Sequence, residues 1–124
     1  MNRSLCSDGA SPFLAIAAEL AGGDLRVARR LLEMIVETNR TTLVLLRDSV
    51  DAKAWDLAAN AAHRLAGSAR MLECDNLVTL INELEAAARA QQDVLVSALL
   101  SQVVGAVTEF EISVKLALGV SVQP

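Results

Sequence analysis

Apolar side chains return every three or four positions along most of this chain. In the stretch after Asp24 the set is Ala28, Leu31, Leu32, Ile35, Leu45 and Leu46, and Thr38 and Thr42 continue the stripe to about Ser49. That spacing marks a helix with one buried face. Arg29, Arg30, Glu33, Glu37 and Arg40 suit its other faces, and Asp24 is placed to cap it. A shorter helix precedes it, with Ser11 as N-cap and Pro12 at the first helical position. Phe13, Ile16, Ala17 and Leu20 share one face of that helix, and Gly22-Gly23 ends it. Downstream, Asp51-Ala52-Lys53 reads as a short turn, and a third helix runs from about residue 52 or 54 to about Leu72. Glu73-Cys74-Asp75-Asn76 breaks it, with Asp75 or Asn76 capping a fourth helix. The fourth buries Leu77, Leu80, Ile81, Leu84 and Ala88 and ends near Ala90. Asp93 starts a long last helix with Val96, Leu99, Leu100, Val103, Val107, Phe110 and Val114 inward, and Gly119 ends it.

Connections this short make sequential helices antiparallel neighbours. The expected fold is all-α, an antiparallel up-down-up-down four-helix bundle with a short N-terminal helix. Residues 1–10 read as a flexible leader, 11–119 as one domain and 120–124 as a tail. No internal repeat or low-complexity linker interrupts this order.

Composition supports the helical reading. Of the 124 residues 53% are hydrophobic but only 2% aromatic, so the core is built from Leu, Ala, Val and Ile. Strands would enrich β-branched and aromatic residues instead. Eleven basic against 15 acidic residues give a net charge of −4. No basic stripe with interleaved aromatics occurs, which argues against a nucleic-acid partner. The longest uncharged apolar stretch, around Val94 to Thr108, is interrupted by polar residues and falls short of the about 20 residues a bilayer span needs, so no membrane association is expected. The first ten residues lack a signal-peptide apolar core. Cys6 and Cys74 form no metal or redox spacing and no disulfide framework, and a reducing cytoplasm is the simplest compartment. With a single histidine, a zinc site is not expected.

The third helix carries that histidine in the stretch AAHRLAGSARML, Ala61 to Leu72. On a wheel of about 100° per residue with Leu65 at zero, Ala58, Ala61 and Leu72 fall within about 40°, and Ser68 and Ala69 within about 60°. This stripe is a complete buried face. His63 and Gly67 fall at about 160° and about 200°, opposite the core, with Asp56, Asn60, Arg70 and Cys74 on the same side. A mid-helix glycine costs about 1 kcal/mol relative to alanine. One turn from His63 and on its face, Gly67 clears space beside the imidazole. Arg70, two turns on along nearly the same meridian, is positioned to meet an anion, while Arg64 on the flank reads first as an ordinary solvated arginine that could also supply charge there.

A neutral imidazole is a nucleophile near physiological pH and can carry a phosphoryl group covalently. The chain offers no glycine-rich phosphate loop and no kinase catalytic set, nor a carboxylate cluster in sequence to hold magnesium. It would bind no cofactor of its own. Metal and most of the catalysis would come from a protein docking on the helix face.

AAHRLAGSARML resembles the signature of histidine-containing phosphotransfer (HPt) domains, whose usual form is H-x-L-K-G-S-A. The likeness extends from Leu31 to Arg89 and includes Trp55 after the inter-helix turn and the Leu84-Glu85 pair late in the following helix. With Arg70 after the motif, the chain is most similar to the domains at the C-terminus of unorthodox hybrid sensor histidine kinases of the virulence-regulating type. The resemblance implies that His63 accepts a phosphoryl group from the aspartate of a receiver domain and passes it to an aspartate of a response regulator. It places Asn60, Arg64, Ala66, Gly67 and Arg70 on the phosphoryl or docking surface. It puts Mg2+ on the partner receiver. A complete bundle core favours a monomer, and the chain is expected in the cytoplasm, free or as part of a membrane-bound kinase. The family's lysine three residues after the histidine is Ala66 here, which leaves Arg70 or a partner's lysine to neutralise charge. Two other readings stay open on sequence: an adaptor that binds receivers without taking phosphate, and a structural helical bundle.

Overall fold

The computed structural model describes residues 11–119, so the readings of residues 1–10 and of the tail lie outside it. The described residues are helical with no strand: α1 (Ser11–Leu20), α2 (Leu25–Asp51), α3 (Trp55–Met71), α4 (Asp75–Arg89) and α5 (Asp93–Ala117). The expected order is thus reproduced, with helix bounds shifted by a few residues at most.

The connections are short for a common reason. After α2, the Lys53 N–H donates to the Val50 carbonyl (3.0 Å) and the Ala54 N–H to the Ser49 carbonyl (2.8 Å). This paired closure is a Schellman motif. It recurs after α3 through Glu73 and Cys74, after α4 through Gln91 and Gln92, and after α1 through Gly22 and Gly23. In the last three connections the closing residue is also the N-cap of the next helix: Ala54, Cys74 and Gln92. No chain is left over to form a loop. The motif needs one residue at positive φ. Only α1 supplies glycine for it; Lys53, Glu73 and Gln91 adopt φ of 55°, 61° and 57°. A side chain in that conformation costs roughly 1–2 kcal/mol, so these turns are imposed by the packing of the helices they join.

Local capping follows the sequence at one point and departs from it at another. Asp24 Oδ1 accepts the N–H groups of Arg26 (3.0 Å) and Val27 (3.2 Å), as expected. Asp75 and Asn76 do not cap α4. Cys74 occupies that position without a side-chain hydrogen bond to the first turn of the helix, and Asp75 is already inside the helix. There its carboxylate meets the positive end of the helix dipole instead.

α3 packs most extensively against α4, and also against α2; α5 closes on α4 and α2, and α1 lies against α2 and α5. The core they enclose includes Leu32, Leu46, Leu65, Leu77, Ile81, Leu84, Val103 and Val114, all buried. Phe13 and Phe110 meet edge to face with centroids 5.5 Å apart, joining α1 to α5. Such a contact adds about 0.5–1.5 kcal/mol to the burial itself.

Three sequence placements are corrected. Thr38 is exposed and Asn39 is buried in its stead, because Asn39 lies about 20° around the helix from Leu32 and Thr38 about 120°. Leu20, at the end of α1, is exposed. Cys74 is buried, not on the outward side of α3; it lies past the end of that helix, where the wheel no longer applies. α5 as a whole is long and apolar enough to cross a membrane by length and composition, which the shorter window around Val94 to Thr108 did not reveal. One side of α5, from Val96 to Val114, is buried in this fold.

Charged ties link α2 and the turn after it to α5 and its C-cap. The Arg29 guanidinium donates to the Leu118 carbonyl. Arg40 pairs with Glu111 at 2.7 Å, and Lys53 with Asp93 at 2.9 Å. Glu111 also meets Lys115 at 3.2 Å. Hydrogen bonding from Arg40, then from Lys115, together with their charge, outweighs partial burial and holds the Glu111 carboxyl below its ordinary range.

Candidate functional site

α3 presents its histidine on the outer face because its inner face is filled. Ala58, Ala61, Leu65, Ala69 and Leu72 are buried, as the wheel requires, and Ser68 is half-buried. His63 is open to solvent over 68% of its side chain. Asn60, Arg64, Gly67 and Arg70 are exposed around it. A Cβ built on Gly67 meets no atom within 4 Å. The glycine is therefore not required by packing inside the molecule, and the space above it is open.

Ala66 departs from this surface. It is fully buried, in line with Ala59 and Ala62. The three alanines occupy the flank of α3 beside the histidine's face, about 40–100° around the helix from it. Reading Ala66 as a docking residue placed it one flank too far out. A lysine there would have to run its stem out of a filled seam before its charge reached solvent.

The structure adds two residues that local spacing could not supply. Glu85 of α4 brings Oε1 to 3.3 Å from Nδ1 of His63. Its other oxygen accepts from Arg89 Nε at 3.2 Å and from an Arg89 terminal nitrogen at 2.9 Å. Only 18% of the Glu85 side chain is exposed. The sequence signal for Glu85 was the Leu84-Glu85 pair alone: Leu84 is buried, and that turns the next residue to the rim of α4, toward α3. For Arg89 the only signal was its place four residues on from Glu85.

The chemistry of this trio is specific. An ionised carboxylate can only accept, so a hydrogen bond at Nδ1 requires the proton to sit on Nδ1. The lone pair of the neutral ring is then on Nε2. Among the described residues no cluster of three or more His, Cys, Asp or Glu is arranged to hold a metal ion.

The match to a family model decides the class. Residues 30–112 match the Hpt domain, and the chain belongs to that family, whose members carry out phosphotransfer in two-component systems and interact there with receiver domains. Among known proteins it is similar to the Virulence sensor protein BvgS of Bordetella pertussis (strain Tohama I), 33% identical over 89 residues. That alignment covers 68% of this chain and 7% of the relative, so the chain spans a small fraction of the relative's length. No solved structure matches the chain.

Proposed function

We propose that His63 is the phosphoryl carrier of a relay. Nε2 attacks the phosphorus of a receiver's aspartyl phosphate. The N–P bond forms as the P–O bond to the aspartyl carboxylate breaks, and the electron pair leaves with that carboxylate. The proton on Nδ1 stays in place, and the ring becomes a phospho-imidazolium whose positive charge faces Glu85. The reverse attack by a response-regulator aspartate completes the relay. The observation that carries this reading is the pairing of an exposed imidazole with a carboxylate on Nδ1, which leaves Nε2 for the visitor. The cleared surface over Gly67 supports it, because a docked receiver must bring its phosphate within bonding distance of the ring. Mg2+ belongs to the receiver, and this chain binds no cofactor.

The scaffold in this reading is an antiparallel up-down-up-down bundle of α2 to α5, one monomeric domain over residues 11–119 with α1 laid across it, acting in the cytoplasm. Three ties support the antiparallel pairing of α2 and α5: Arg29 with Leu118, Arg40 with Glu111 and Lys53 with Asp93. One residue number rises as its partner's falls. The three-residue connections support the rest.

Incubation with a receiver domain bearing labelled aspartyl phosphate and Mg2+ tests the relay. The expected outcome is acid-labile, base-stable label on the chain, absent from His63→Gln. Equal label on the variant overturns the assignment, and receiver binding without any label favours an adaptor.

A further inference from the structure

We propose that Arg89 is a positioning residue for the phosphoryl-accepting imidazole, an inference that rests on the carrier role of His63. Arg89 grips one oxygen of Glu85 with two N–H donors at 3.2 and 2.9 Å, and the other oxygen of the same carboxylate lies 3.3 Å from Nδ1 of His63. The guanidinium is planar and forked, so a two-point grip fixes the orientation of the carboxylate as well as its place. Without it Glu85 has its own side-chain torsions free. The carboxylate would then leave Nδ1 for water part of the time, and the ring proton would redistribute to Nε2, the atom that has to attack.

Arg89 has a second effect through the same contact. Glu85 stabilises the imidazolium that develops during transfer, but its negative charge also repels the incoming phosphoryl dianion. The guanidinium on the far oxygen offsets that repulsion while leaving the near oxygen on the ring. Position 66, where the family carries a lysine, is a buried alanine here. Arg64 and Arg70 are exposed on α3, with no ion pair among the described residues. Arg89 is therefore the cation tied to the imidazole by a continuous chain of hydrogen bonds.

Nitrogen-15 NMR of the imidazole at neutral pH tests this without any transfer reaction. The full chain is expected to hold His63 mainly as the Nδ1–H form. Arg89→Ala is expected to shift the population toward Nε2–H, and Arg89→Lys, which restores a charge but not the fork, to recover it in part. Labelling from a phosphorylated receiver should show kcat down roughly 10-fold in Arg89→Ala, the scale seen when an imidazole loses the group that orients it, with KM little changed. An unaltered tautomer population in Arg89→Ala overturns the proposal, as does a loss confined to KM, which would make Arg89 a docking residue. Failure of the carrier reading looks different: the unaltered chain takes no label, whatever its tautomer.

Discussion

Glu85 on α4 and Glu111 on α5 are held by nearly the same device. Each has a basic residue four positions on along its own helix, Arg89 or Lys115, and each reaches a nitrogen on a neighbouring helix, in His63 or Arg40. Both are largely sheltered, with 18% and 24% of the side chain exposed. The difference lies in the cross-helix partner. Arg40 has no lone pair to offer, and Glu111 raises its pKa further, so that cluster is a closed clamp between α2 and α5. His63 keeps a second ring nitrogen free, which in the proposed relay is the atom that attacks. In the proposed relay, holding the carboxylate serves stability in one place and reactivity in the other.

The largest expected effect is at the partner itself. His63→Gln should remove all phosphoryl label while leaving the helical circular dichroism and melting temperature close to those of the parent. A coincident loss of fold would mean that the His63 cluster is a clamp too. Next comes clearance: Gly67→Leu should slow transfer on the order of 100-fold, because a displaced visitor loses its attack geometry, while thermal stability holds or rises. Unimpaired transfer would remove the role assigned to the open surface.

The two glutamates themselves give a crossed test. Glu85→Ala should cut the labelling rate roughly 10-fold with little change in melting temperature. Glu111→Ala should lower the melting temperature and leave labelling alone. If each variant changed both readouts alike, the distinction between clamp and site would fail. The pH dependence sharpens the Glu111 half. Its carboxyl is held below the ordinary range, chiefly by Arg40, so its stabilisation is complete above the unfolded carboxylate value of about 4.3 and is lost as pH falls through the lower folded value. Melting curves of parent and Glu111→Ala should differ most near neutrality and converge in acid. The smallest effect concerns Gln91, in the connection between the helices that carry the two carboxylates. Gln91→Gly should stabilise by about 1 kcal/mol, by relieving a positive φ at some cost in chain entropy, a gain that chemical denaturation can measure.

The helices were legible because their periodicity is strong, and His63, Asn60, Gly67 and Arg70 were placed correctly because a wheel is reliable inside a helix. It failed at Cys74, past the helix end; Ala66 was put on the surface by the family resemblance, whereas the wheel sets it about 100° from Leu65, on a flank that the fold buries. The three turns closed by Lys53, Glu73 and Gln91 carry no glycine, so their geometry left no mark in composition. Glu85 reaches His63 from another helix, and a contact across 22 residues depends on how two helices dock, which no local pattern records.

The alanine seam of Ala59, Ala62 and Ala66 has a consequence for how still the site is. An alanine has no side-chain rotamers to lose on burial and none to visit afterwards. α3 is thus seated along this flank by groups with no rotamers to exchange. His63 follows Ala62 directly, so beyond the motion of α3 itself the imidazole has its own two torsions, and the carboxylate of Glu85 meets one ring nitrogen at 3.3 Å.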